Sequence, residues 1–238
     1  MKKIVVIGGG TMGLDIAQVF ARSGYDVVVR DISDEIIQKS EARLNKGLDK
    51  LVAKGKMDEA GKKAITDKLT FTTDLNLAAD ADLVVEAAIE NLDIQKSIFS
   101  ELDKICKPET ILASNTSSIS ITAIAAATKR PEKFIGMHFF NPATVMKLVE
   151  VIRGAHTSDA TCKTISKLAT AIGKQPVEVN NPMSPLALED LIGLDVCLAI
   201  MDIYFAETGD PKYKASLLLR KMARAGKLGR KTGIGFFN

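Results

Sequence analysis

The chain has 238 residues, 46% hydrophobic and 26% charged, which suits an ordinary globular protein with one large domain or one plus a small one, and argues against disorder. A formal charge of +3 without arginine–aromatic interleaving gives no signal of a nucleic-acid partner. Apolar runs too short to span a membrane, a strand pattern beginning almost at Met1, and three scattered cysteines (Cys106, Cys162, Cys197) argue against membrane, secretion signal, disulfide framework and metal site, and point to the cytoplasm.

Lys3 to Ile7 reads as a short buried strand, and Gly8-Gly9-Gly10-Thr11-Met12-Gly13 fits G-x-G-x-x-G ahead of a helical stretch from Asp15 to Ser23. In this pattern Gly8 permits the tight turn, Gly10 lets the backbone approach a pyrophosphate, and Gly13 lets helix and strand pack closely, with the phosphate at the helix N-terminus. Gly24-Tyr25 ends the helix, Asp26 to Arg30 reads as a second strand, and Asp31 stands at its end, 18 residues beyond Gly13. An aspartate there accepts hydrogen bonds from the adenosine 2′-hydroxyl and repels a 2′-phosphate, favouring NAD over NADP, a preference that Arg30 and Ser33 leave open. A glycine-rich turn without nucleotide is the plain alternative, weakened because strand, loop, helix, strand and acid occur in order.

Residues 34–68 interrupt the alternation with two helical patterns, one through Ile36, Ile37, Leu44, Leu48 and Leu51, the other from Asp58 to about Asp67. This inserted hairpin carries Lys46, Lys50, Lys54, Lys56, Lys62 and Lys63, either a solvated face or a surface for the phosphates of a large acyl carrier. Ala81 to Ala87 reads as a buried strand with Glu86, Glu90 and Asn91 at its end, where a nicotinamide ribose would lie, and a helix follows from Asp93 to Cys106.

Thr110 to Ala113 is a further strand, so Ser114-Asn115-Thr116-Ser117-Ser118 falls at a carboxyl end where open sheets bind ligands. After a helix from Thr122 to Thr128, Ile135 to Phe139 and Met146 to Ile152 read as neighbouring strands around an Asn141-Pro142 turn. His138 on one and Glu150 on the other can then face each other as a proton-transfer pair. The competing readings are a packed core histidine, a solvated glutamate, and a serine run that only caps a helix. His156 sits in a polar loop and reads as surface. A helix from Asp159 to Ile172 and a strand from Pro176 to Val179 complete the first domain. Asn180 to Pro185 marks a boundary before mostly helical stretches at Leu186–Phe205 and Lys214–Ala225, too short a segment for a core standing alone.

The Gly8 loop, the Ser114 run, His138-Phe139-Phe140-Asn141-Pro142, Val145 to Glu150 and Gly229 to Phe237 occur in the order found in short-chain L-3-hydroxyacyl-CoA dehydrogenases, and nearly the whole chain resembles that family. The resemblance implies an α/β architecture: a Rossmann-type doubly wound NAD domain at 1–179 with the helical hairpin at 34–68 inserted, then a shortened all-α C-terminal domain at 180–238. It implies NAD(H)-linked interconversion of (S)-3-hydroxybutyryl-CoA and acetoacetyl-CoA by a homodimer. His138 becomes the general acid/base at the C3 oxygen, oriented by Glu150, and Ser117 and Asn141 hydrogen-bond that oxygen or the thioester beside the cofactor. Glu90, Lys96 and Lys231 become cofactor contacts with Gly8, Gly10, Thr11, Met12, Gly13, Asp31, Ser117 and Asn141, while Lys50, Lys54 and Lys56 become the coenzyme A platform.

The chain departs from the family pattern twice. Gln95, with Lys96 beside it, stands where the family usually has a lysine, which puts a cofactor contact in question. After Val179 the family continues for about forty residues, including a helix with an active-site asparagine and much of the dimer surface; here Val179 meets Asn180 directly. Either the chain is shortened or a segment has been left out of it, and the stop at Phe237-Asn238 favours the second. The rival functions are a non-catalytic nucleotide- and CoA-binding relative and a dehydrogenase for longer 3-hydroxyacyl-CoAs or a free hydroxy acid.

Overall fold

The computed structural model describes residues 1–179, 190, 192–210 and 214–236. The Val179–Asn180 junction, the boundary segment Asn180 to Pro185 and the expected helix start at Leu186 lie outside the described residues. The chain divides into two compact units, Met1–Pro182 and Met183–Asn238.

The first unit opens with β1 (Lys3–Ile7), α1 (Thr11–Arg22), β2 (Asp26–Arg30), α2 (Asp34–Ala53), α3 (Glu59–Thr66) and β3 (Leu69–Thr72). It continues through β4 (Leu83–Glu86), α4 (Leu92–Ile105), β5 (Ile111–Ser114), α5 (Ile121–Ala125), β6 (Phe134–Phe139), β7 (Leu148–Arg153), α6 (Asp159–Ala171) and β8 (Gln175–Val179). The eight strands form one sheet in the order β3-β2-β1-β4-β5-β6-β7-β8. Every pair is parallel except β6 with β7. Chain order reverses between β1 and β4, so the carboxyl ends of these strands flank the crevice where doubly wound sheets take ligands.

Helices on both faces explain why the strands read as continuous apolar runs. Ile4 and Val6 of β1 enter a core with Phe20, Leu48 and Ile165, while Val5 and Ile7 point the other way onto Phe99, Leu112 and Ile124. Two differences from the sequence reading concern weak local signals. β3 was not visible in the pattern because Leu69-Thr-Phe-Thr is a half-exposed edge strand with no buried run. α1 begins at Thr11 rather than Asp15: Gly13 is a poor helix former, yet only glycine fits there, since a Cβ would lie 1.9 Å from the Gly8 carbonyl oxygen.

The second unit contains α7 (Leu194–Thr208) and α8 (Leu217–Arg224) around a small core of Leu194, Ala215 and Leu219. Arg220 pairs with Asp202 across them. Val196, Ile200, Ile203 and Leu217 remain exposed, as expected of a segment too short to bury its own apolar residues.

Asp82 pins the start of β4 to β1. Its carboxylate accepts from the backbone N–H of Lys2 and Lys3 and from Lys107 Nζ at 2.7 Å. Burial alone would raise its pKa, but Lys107 and the two N–H groups outweigh it and bring it to about 2. A depressed carboxylate stabilises the fold above its unfolded pKa of about 3.9 and stops doing so as pH falls through its folded value. Asp82→Asn is therefore expected to cost about 1–2 kcal/mol at pH 7 in urea unfolding. The gap to the parent protein should narrow between about pH 4 and pH 2, and a gap independent of pH would exclude this ion pair as its source.

Candidate active site

The Gly8 loop leaves β1 with φ +106° at Gly8, where a Cβ would come within 2.6 Å of the Ala87 carbonyl oxygen just past the end of β4. Gly10 is the N-cap of α1 and offers its helix no side-chain acceptor, and nothing stands within 4 Å of where its Cβ would be. Bare N–H groups at a helix N-terminus, facing open space above a glycine, form a seat for an anion such as a pyrophosphate. Asp31 braces the loop: one carboxylate oxygen accepts from Gly9 N–H at 2.6 Å and the other from Ile32 N–H at 2.7 Å. It also lines an apolar cleft of about 570 Å³ with Ile32, Ile36, Ile89 and Ile94, which suits an adenine and its ribose. The residues present thus fit an NAD molecule at this end.

Ala87 and Ala88 border that cleft and a second one of about 370 Å³, lined by Met12, Glu86, Glu90, Ser117, His138 and Asn141 among others. The two clefts together run from Asp31 over the glycine loop to His138. Antiparallel pairing of β6 and β7 sets His138 directly opposite Glu150, and Nδ1 lies 2.8 Å from Glu150 Oε2. The Glu150 side chain is only 5% exposed and that of His138 16%. A carboxylate can only accept, so the ring proton sits on Nδ1 and Nε2 is left as the basic nitrogen. Phe140 packs against the imidazole, with ring centroids 4.7 Å apart.

Glu90 holds the serine run in place. Its Oε1 accepts from Thr116 Oγ1 at 2.5 Å, Ser117 N–H at 3.0 Å and both the N–H and hydroxyl of Ser118 at 3.2 and 3.0 Å. Partial burial pushes its pKa up, yet these donors hold it below the ordinary value, so Glu90 stays an acceptor. Asn115 closes the wall by accepting from Phe139 N–H at 2.8 Å, which ties the end of β5 to the histidine strand.

Most other residues singled out from the sequence have partners of their own or lie on exposed surface. Lys96 lines neither cleft, because Gln95 takes the inward position and adjacent helical residues point about 100° apart. Lys50, Lys54 and Lys56 are exposed around the C-terminus of α2, whereas Lys62 and Lys63 are occupied by ion pairs to Asp49 and Asp67. Lys231 lies in the second unit and pairs with Asp195. Ser33 is the N-cap of α2, and Arg30, which lines the Asp31 cleft, donates to the Thr73 carbonyl oxygen.

Two residues that sequence reasoning missed belong to this region. Ser40, buried in α2, donates to the Gly9 carbonyl oxygen at 2.7 Å, and Arg43 reaches Thr11 Oγ1 and the same carbonyl at 3.2 and 3.3 Å. Glu86, which the sequence sets with Glu90 near a nicotinamide ribose, lines the second cleft; burial raises its pKa although it accepts from Ser114 Oγ and Ala88 N–H. The signal for Ser40 was its place four residues from both Ile36 and Leu44 on the inner face of α2, whereas Arg43 is exposed and the pattern gave no signal for it.

Residues 3–182 match the family model of the 3-hydroxyacyl-CoA dehydrogenase NAD binding domain, and residues 141–238 that of the 3-hydroxyacyl-CoA dehydrogenase C-terminal domain. The chain belongs to the 3-hydroxyacyl-CoA dehydrogenase family. Within it, the sequence is 46% identical to a 3-hydroxybutyryl-CoA dehydrogenase of Clostridioides difficile, covering 99% of both chains. It is 36% identical to the mitochondrial hydroxyacyl-coenzyme A dehydrogenase of Homo sapiens, covering all of this chain and 91% of that one. Among solved structures, the (S)-3-hydroxybutyryl-CoA dehydrogenase from Ralstonia eutropha is similar with a TM-score of 0.76 and 40% identity over 99% of this chain and 98% of its own. The alignment to the Clostridioides difficile relative runs over 277 positions against 238 residues here, so about forty positions of that relative have no counterpart in this chain.

Two glycine substitutions separate packing from binding in this dehydrogenase's loop. Gly10→Ala should fold with the parent's thermal stability yet bind NADH at least about tenfold more weakly, because its methyl enters the open cradle. Gly13→Ala should lose stability and NADH binding together, by about 1–3 kcal/mol, because its methyl meets the Gly8 carbonyl. Calorimetry and NADH fluorescence titration check both, and equal destabilisation by the two would refute the assignment.

Proposed function

We propose that this chain interconverts (S)-3-hydroxybutyryl-CoA and acetoacetyl-CoA with NAD(H), using His138 as the proton-transferring group. The observation that carries the assignment is the His138–Glu150 pair, 2.8 Å apart, in the same cleft as Ser117, Asn141 and the glycine-loop residue Met12. When bound, NAD(H) accepts or supplies the hydride at its nicotinamide ring. His138 Nε2 takes the proton of the C3 hydroxyl as the alcohol is oxidised and returns it to the C3 oxygen as the ketone is reduced. Glu150 keeps the proton on Nδ1 and stabilises the imidazolium. Ser117 and Asn141 donate to the C3 oxygen or the thioester carbonyl and orient the C3–H bond toward the nicotinamide.

Asp31 accepts from the adenosine ribose hydroxyls and supports NAD over NADP, since a 2′-phosphate would meet its charge. Lys50, Lys54 and Lys56 hold the coenzyme A phosphates. The reading extends to a cytoplasmic homodimer without nucleic-acid or membrane partners. Its support is the scattered cysteines, the small net charge and the exposed apolar residues of α7 and α8 that a second copy would cover. Among the described residues no helix is long and apolar enough to cross a membrane.

Two measurements test this. NADH oxidation with acetoacetyl-CoA should be robust in the parent and fall about 10²–10⁴-fold in His138→Gln, with NADH affinity unchanged. Tight NADH binding without turnover in the parent would instead mark a non-catalytic relative. Replacing Lys50, Lys54 and Lys56 together by alanine should raise KM for acetoacetyl-CoA by about tenfold or more while kcat stays near the parent value, a pattern of lost uniform binding. A fall in kcat at unchanged KM would remove these lysines from the coenzyme A site.

A further inference from the structure

Among the described residues, Lys174 is the only buried lysine. An ammonium withdrawn from water is costly unless its donors are satisfied, and an apolar side chain would fill the same space more cheaply if packing were all that mattered. Lys174 Nζ donates to the Ala143 carbonyl oxygen at 2.6 Å and to the Met146 carbonyl oxygen at 2.8 Å. Burial and the neighbouring charge of Arg22 push its pKa down, with Asp15 opposing, so the two carbonyls are the direct partners that hold the charged form.

Both carbonyls belong to the loop joining the histidine strand to the glutamate strand. In that loop Pro142 O accepts from the N–H groups of Val145 and Met146 at 3.0 and 2.9 Å, making a single turn whose outgoing carbonyls would otherwise lack donors. Gln175 N–H donates to Lys147 O at 2.7 Å, so residues 174 and 175 together fasten the loop to the beginning of β8. Asn141, which lines the cleft with His138, is the residue through which β6 enters this turn.

We infer that Lys174 is a positioning residue for the reaction: by clamping the Ala143 and Met146 carbonyls it fixes the turn that places Asn141 against the substrate. It lines neither cleft and acts only through the loop. The inference rests on the proposed role of Asn141. Turnover by the parent and its loss in His138→Gln test the reaction assignment, and a fall in kcat in Asn141→Ala alone tests the asparagine's role, so a failure of the clamp is distinguishable from a failure of either.

The test is a double-mutant cycle of Lys174→Met and Asn141→Ala, with kcat and KM for acetoacetyl-CoA measured per NADH-binding site and NADH affinity read by fluorescence. Lys174→Met alone should lower kcat about tenfold, leave NADH affinity within about twofold, and have little further effect once Asn141 is alanine. Lys174→Gln, which keeps an N–H donor, should retain more of kcat than Lys174→Met and serves the cycle if the methionine variant does not fold. An unchanged kcat, or the same fold-loss in the parent and Asn141→Ala backgrounds, would overturn the inference. So would failure of both variants to bind NADH, since the ammonium would then support the domain as a whole.

Discussion

A carboxylate held almost out of contact with water must find donors, and for Glu150 the donor is the imidazole of His138. The rest of the site depends on that constraint. Because Glu150 fixes the proton on Nδ1, the opposite nitrogen is the one that can exchange a proton with substrate, and the ring cannot turn without stranding a buried charge. The pairing exists because β7 runs against β6, the one antiparallel step in the sheet, and its register sets residue 138 opposite 150. A shift of one residue would turn Glu150 to the other face of the sheet.

The antiparallel step has a second consequence. Parallel strands need a long crossover, whereas β6 and β7 are joined by the short loop from Phe140 to Lys147, and that loop stays at the carboxyl ends of the parallel strands, where the cofactor cleft opens. Hydrogen bonds from separate elements hold this rim: Glu90 to the serine run, Asn115 to Phe139, and Lys174 to Ala143 and Met146. Each joins segments far apart in the chain, so the cleft is shaped by the packed sheet and its loops are held to it.

At the other end, a similar economy governs the glycine loop. Gly8 and Gly13 are required by contacts with the protein itself, while Gly10 faces open space and no contact within the protein requires it. Asp31 accepts from the Gly9 N–H and Ser40 donates to its carbonyl oxygen, so the loop at the start of α1 is shaped by the protein's own hydrogen bonds.

The sequence by itself determined the parallel-sheet core, through runs such as Lys3–Ile7 that are apolar on both faces, and the nucleotide loop, through glycines whose spacing has few other uses. It also allowed His138 and Glu150 to face each other, since both lie in strand patterns flanking one short turn, but the register that sets them opposite comes from the pairing of β6 with β7. Family resemblance added the chemistry. The tertiary structure decided what local patterns do not encode. Glu90 organises the serine run because β4 and β5 end side by side; Gln95 turns inward and Lys96 away because of how α4 packs; and two of the six hairpin lysines are consumed by ion pairs. Lys174 was invisible for the same reason. A lysine between a helix and a strand looks like any surface charge until the fold brings two distant carbonyls within 2.8 Å of it and shuts out water.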